Sequence, residues 1–168
     1  MRKAMWLALA VLATTFSGAA GAQDSPVPPI VKKYIELTYT VKEGYGLHAV
    51  HIGKPVSEAQ RAWGEPVKKE LGLPVAGTDY WYFRPDRLTQ VRVTGRTQIE
   101  AIAVVGQRGS AYRTARGAAI GTPNHQLEQL YGKPAAVDGA IVDYPAQGVR
   151  FQLAGGAVEG FEVYPPKR

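Results

Sequence analysis

Hydrophobic and polar positions alternate along "YIELTYTVK", residues 34–42. Ile35, Leu37, Tyr39 and Val41 fall on one side, and Glu36, Thr38, Thr40 and Lys42 on the other. A period of two carried by β-branched and aromatic residues predicts a half-buried strand. The period then changes. In "VSEAQRAWG", Ala59, Ala62 and Trp63 stand at i, i+3 and i+4, one face of a short helix. Gly64 comes just past the helix end, where a residue without Cβ takes the left-handed conformation cheaply, and Pro66 keeps the helix from resuming. "DYWYF", "TQVRV" and "IEAIAVV" follow, with strand composition, joined by the turn-like "RPDR" and "TGRTQ".

The same succession returns. "IGKPVSEAQRAWGEP" (52–66) and "IGTPNHQLEQLYGKP" (120–134) share Ile, Gly, Pro, Gly and Pro at a constant offset of 68 residues. Leu127, Leu130 and Tyr131 take the places of Ala59, Ala62 and Trp63, and Gly132 and Pro134 repeat the stop. Thr122 is placed to cap the second helix, with Pro123 at its first position. "AIVDY", "GVRFQL" and "VEGFEVY" then repeat the three strands. The matching order carries more weight than five identities, because glycine and proline are frequent in this chain. It predicts an α+β fold of two tandem repeats, residues 34–106 and 107–168. Each is a short helix, or a helical hairpin, packed on an antiparallel meander of three to four strands.

This pattern resembles the BamE/SmpA-like envelope family, and two such units in tandem resemble the β-lactamase inhibitory protein fold. The matching positions are Gly53, Trp63, Gly64, Pro66, Tyr82, Val91, Val93, Ile99 and Ile102. In the second copy they are Gly121, Tyr131, Gly132, Pro134, Tyr144, Val149, Phe151, Val158 and Phe161. They are turn glycines, stops and core aliphatics, so the resemblance implies an architecture and not an activity. BamE-type proteins are usually lipoproteins of a single unit and the inhibitory protein carries disulfides, whereas this chain has no cysteine for either.

Ahead of the repeats, Arg2 and Lys3 precede an apolar run from Met5 to Ala13 and an A-x-A site at Ala20-Gly21-Ala22. That is the form of a secretory signal cleaved after Ala22. The run is too short to span a bilayer, which weighs against the alternative of an uncleaved anchor. Residues 23–33 begin "QDSPVPP" and read as a proline-rich extended leader. The expected product is periplasmic or secreted, with no transmembrane segment. Without Arg2 and Lys3, 18 of the 20 basic residues remain against 14 acidic ones, a net of +4. The charge is spread without a Lys/Arg block or a reading motif, which argues against nucleic acid and permits peripheral contact with an anionic envelope surface.

Catalytic chemistry has little to work with. The histidines are His48, His51 and His125. On a strand His48 and His51 would face opposite ways, so metal binding is not expected, and no cofactor is implied. There is no thiol, no G-x-S-x-G and no H-E-x-x-H, so the chain reads as non-enzymatic. A hydrolase with converging acids stays open. Glu100 and Glu159 are equivalent, but Arg92 and Arg150 across the hairpins offer them charge partners instead.

The positive signal is aromatic. Matching Tyr82 to Tyr144 makes Tyr80 and Tyr82 the core pair and leaves Trp81 and Phe83 on the face away from the helices. Arg84 and Arg92 are expected nearby. Aromatic residues beside arginine compose a binding hot spot. The competing reading is that both aromatics pack against the other unit or under residues 34–42. The expected role is protein binding through this sheet face, with Trp81, Phe83, Arg84, Arg92 and Arg150 as contacts. Binding of a glycan or another small ligand of the envelope on the same aromatics is the alternative.

Overall fold

The computed structural model describes residues 29–30, 33, 38–72, 77–84 and 88–167. The expected signal (1–22), its cleavage after Ala22 and most of the leader lie outside the described residues. In chain order come β1 (Thr40–Lys42), β2 (Gly46–Leu47), β3 (Val50–His51), α1 (Val56–Trp63), β4 (Lys68–Gly72), β5 (Gly77–Phe83), β6 (Thr89–Gly95) and β7 (Ile99–Gly106). Then follow β8 (Arg113–Thr114), α2 (Asn124–Tyr131), β9 (Ala136–Asp138), β10 (Ile141–Tyr144), β11 (Val149–Ala154) and β12 (Ala157–Val163). The fold is α+β and mostly sheet. Among the described residues no helix is long and apolar enough to cross a membrane.

Two sheets form. The smaller has the order β3-β2-β1-β8, with β8 parallel to β1. The larger has eight strands in the order β4-β5-β6-β7-β12-β11-β10-β9, antiparallel throughout. Two four-stranded meanders therefore meet last strand to last strand, β7 against β12.

The pleat sorts the large sheet into two faces, since successive side chains on a strand point opposite ways. Tyr82, Val91, Val104, Phe161, Phe151 and Val142 stand in register across six strands, all buried. Both helices cover this face. The Trp63 ring of α1 packs edge-on against Tyr82 at 5.3 Å, and the Tyr131 ring of α2 lies 5.1 Å from Tyr144. Val56 and Ala59 are the buried residues of α1, and Leu127 and Tyr131 those of α2. Ala62, expected on the inner face, is exposed.

The entry to each helix is tied to its own meander. Gly53 N–H donates to the Ile99 carbonyl (2.7 Å) and Ile99 N–H donates to that of Lys54 (2.8 Å). Gly121 and Val158 make the matching bond at 2.7 Å, and Val158 N–H donates to the Thr122 carbonyl at 2.9 Å. This pairing holds residues 121–123 extended, so the expected cap is corrected: Pro123 is the N-cap, and the Thr122 hydroxyl accepts from Ala119 N–H instead. At the exits, Gly64 has φ 83° and ψ −164°, and Gly132 has φ 82° and ψ −166°. Positive φ was expected, but the extended ψ puts both in the mirror-image β region, a conformation essentially confined to glycine.

The N-terminal expectation changes more. Backbone is helical at Pro29, Ile30, Lys33 and Thr38–Tyr39, so the leader is not extended at its described positions; of the strand expected over 34–42, residues 34–37 lie outside the described residues, 38–39 are helical and 40–42 form β1.

Candidate functional site

The face of the large sheet turned from the helices carries one row that crosses all eight strands. Lys68, Trp81, Arg92, Ala103, Glu162, Arg150, Asp143 and Ala136 are paired in register from edge to edge. Parity dictates it on the six inner strands, where each of these residues lies one position from a core residue.

Trp81 is half-buried in this row. Its Nε1 donates to Glu70 Oε1 at 2.7 Å, and the Arg92 guanidinium carbon lies 5.6 Å from its ring centre, a cation–π arrangement. Hydrogen bonds from Lys68 and Trp81 hold the Glu70 carboxyl below its ordinary pKa. Arg92 reaches the other way as well. Its Nη2 donates to Glu162 Oε2 at 2.6 Å, and Nη1 stands 3.7 Å from Asp79 Oδ2. Asp79 also accepts from Thr94 Oγ1 at 2.5 Å.

Arg150 approaches Glu162 from the neighbouring strand of Glu162's own meander, its Nε donating to Oε1 at 2.9 Å and its Nη2 donating to the same oxygen. Glu162, only 8% exposed, thus accepts from one arginine of each meander. Burial works against the charge on Arg150, but the bond to Glu162 and the carboxylates of Glu162 and Asp143 hold its pKa above the ordinary value. Its guanidinium also lies 5.4 Å from the Tyr164 ring. Burial, and a hydrogen bond donated to Asp143, raise the pKa of the Tyr164 hydroxyl.

Beside this charge cluster the sheet and the C-terminal segment enclose a hollow of about 370 Å³. Ala101, Thr94 and the guanidinium-bearing Arg92 and Arg150 line it on the sheet side; Pro165, Pro166 and Lys167 line the other. The wall is anchored, since Tyr164 N–H donates to the Gly148 carbonyl (3.0 Å) and Lys167 N–H to that of Pro145 (2.9 Å).

Two sequence expectations are corrected here. Arg92 and Arg150 do not pair with Glu100 and Glu159, which are exposed; Glu159 instead accepts a hydrogen bond from Gln152 at 3.4 Å. The register sets Arg150 opposite Glu162 and Arg92 opposite Ala103, so both arginines converge on Glu162. Arg84 is on the helix side, where its Nε donates to the Tyr112 hydroxyl at 2.7 Å and its guanidinium carbon lies 4.6 Å from the Trp63 ring. It shares parity with Tyr80 and Tyr82, and that parity should have placed it there. Trp81, Arg92 and Arg150 do share the helix-free face. Phe83 is a strand residue paired with Gln90, and its side chain lies outside the described part of the structure.

His48 and His51 are not opposed on one strand. His48 occupies the turn of the β2–β3 hairpin with φ 53°, and His51 Nε2 lies 2.8 Å from the His48 carbonyl oxygen. Among the described residues no three His, Asp or Glu side chains are grouped as a metal site.

No family model matches the chain, and no curated protein does. Among solved structures it is similar to a DUF4309 family protein, YjgB, from Bacillus subtilis. The identity is 12% and the TM-score 0.51, over 73% of this chain and 88% of that one. At that identity the likeness concerns the fold alone.

Proposed function

We propose that this chain is a non-enzymatic protein-binding module of the cell envelope or its surroundings, built from two copies of one helix-plus-meander unit of the BamE-like kind. The matched helix entries, the twin glycine exits and the two meanders support the duplication. The fused sheet then offers a broad helix-free face to a partner. The observation that carries the reading is Trp81: a large aromatic on that face, with Arg92 stacked on its ring and Arg150 further along the same row. Aromatic and arginine anchors beside the small residues Ala103 and Gly160 have the composition of an interface centre. Arg92 lies over one face of the Trp81 ring, which leaves less of it for sugar stacking and supports a protein over a glycan.

The test is affinity capture from an envelope extract by the tagged protein and by its Trp81→Ala/Phe83→Ala variant. Loss of a specific partner with native far-ultraviolet circular dichroism supports the reading. Unchanged capture, or collapse of the fold in the variant, refutes it in favour of packing.

A further inference from the structure

The two outer strands of the large sheet occupy equivalent places in the two halves of the chain. The offset of 68 residues that relates the helices also carries Lys68, Lys69 and Glu70 of β4 onto Ala136, Val137 and Asp138 of β9. Register agrees. Lys68 stands opposite Trp81, the residue before Tyr82, and Ala136 stands opposite Asp143, the residue before Tyr144. An outer strand offers unpaired main-chain N–H and C=O groups to any extended chain, and lysines are a usual guard against this. β4 carries that guard, with Lys68 2.5 Å from Glu70 and Lys69 3.8 Å from Glu65. β9 has neither lysine, and all three of its residues are exposed. Val137 is 64% exposed on the helix side, and Ile141, across from Asp138, is 40% exposed on the other. No strand or bridge among the described residues pairs with the outer side of β9.

Charge narrows what can pair there. The ionisable groups nearest β9 are Asp138, Asp143 and Lys133. Asp143 accepts from the Tyr164 hydroxyl and acts on Arg150, and Lys133 precedes the strand, ahead of Pro134. The Asp138 carboxylate has no hydrogen bond or ion pair among the described residues. A second copy of the chain answers it poorly. β9 paired antiparallel with itself about Val137 sets each Asp138 opposite an Ala136. β9 against β4 of a next copy is head-to-tail and does not close, and Lys68 and Lys69 guard that edge. Resting on the protein-binding reading, we infer that β9 takes an extended segment of the partner as an added antiparallel strand, with a β-branched residue opposite Val137 and a lysine or arginine opposite Asp138. Such cross-strand pairs stabilise a ladder, and main-chain bonds supply the rest. β9 is short, so this contact lengthens the helix-free row at Ala136 and does not replace Trp81.

The test is a two-dimensional NMR titration of the purified protein with a short capped peptide centred on Lys-Val-Thr. Read antiparallel, it sets Lys opposite Asp138, Val opposite Val137 and Thr opposite Ala136. Saturable shifts should centre on those three residues and not on Lys68–Gly72. Methylating alternate peptide amides along one edge should abolish the shifts, and along the other edge should preserve them, as main-chain pairing requires. Asp138→Asn should weaken binding by about two- to fivefold, the size of one cross-strand ion pair, and remove the preference for Lys over Gln in the peptide. Ala136→Lys/Val137→Lys, which transfers the guard of β4 to exposed positions, should abolish binding with native circular dichroism. No saturable shift, shifts elsewhere on the sheet, equal binding of the two methylated peptides, or binding by the double-lysine variant would overturn the proposal. So would self-association that the double-lysine variant removes, which would assign the edge to a second copy. The methylated peptides need no variant, so folding does not decide the result. Capture reads Trp81 and Phe83 against a whole partner, while the titration reads the β9 edge alone, so the two fail separately.

Discussion

Replacing Glu162 by glutamine removes the one charge shared by an arginine of each meander. Glu162 is 8% exposed, but its partners are more open, with Arg92 and Arg150 side chains 28% and 45% exposed. Breaking a fully buried pair costs about 3–5 kcal/mol, while an exposed pair contributes only about 0–1 kcal/mol. The intermediate exposure, and Asp79 still 3.7 Å from Arg92, put the expected loss near 2 kcal/mol by the same principles. One glutamine oxygen accepts from one guanidinium, while the amide group presents donors to the other, so part of the loss is a repulsive contact. With a urea dependence of about 2 kcal/mol/M, the unfolding midpoint should fall by about 1 M. Glu159→Gln is the control, an exposed carboxylate whose change should stay within about 0.5 kcal/mol. Equal midpoints for the two variants would refute the argument that Glu162 joins the meanders.

Further outcomes follow from the same structure. The hydroxyls of Tyr82 and Tyr144 are buried without hydrogen-bond partners among the described residues, so Tyr82→Phe and Tyr144→Phe should be neutral or stabilise by up to about 1 kcal/mol in denaturant melts. Burial pushes the Tyr82 hydroxyl up to about 12 from 10 and raises Tyr144 as well. A raised folded-state value gives stability that is complete below pH 10 and declines as pH rises towards 12. Tyrosinate absorbance should accordingly appear together with loss of circular dichroism in that window. Gly64→Ala and Gly132→Ala meet no atom within 4 Å, so only backbone strain acts; each should cost about 1–3 kcal/mol, with similar values in the two positions. Gly95→Ala would set a Cβ 2.0 Å from the Gln98 carbonyl oxygen, and it should unfold at a lower temperature than either.

Legibility in the sequence followed the strength of the local pattern. Both helices and the six inner strands of the large sheet lie close to where periodicity put them, because each pairs a clear apolar face with a glycine or proline boundary. The sheet edges were missed for physical reasons. β4 reads "KKELG", charged in the way edge strands avoid pairing with other chains, and β9 is three residues long with every residue exposed. Placing Trp81 and Arg92 on one face needed only parity, and it succeeded. The same rule applied to Arg84 would have set it with Tyr82. Convergence of Arg92 and Arg150 on Glu162 was out of reach, since it depends on β7 pairing with β12, a contact between sequence-distant strands that no local pattern encodes.

The central claim, that the helix-free face meets the partner, is tested most directly by site-specific photo-crosslinking in an envelope extract. A photoreactive residue at Gln90 or Gln152, exposed and in register with the helix-free row next to Trp81, should yield a discrete partner adduct. The same probe at Arg61 on α1 or Gln126 on α2 should yield none. Adducts confined to the helix positions, or none from Gln90 and Gln152, would contradict the account.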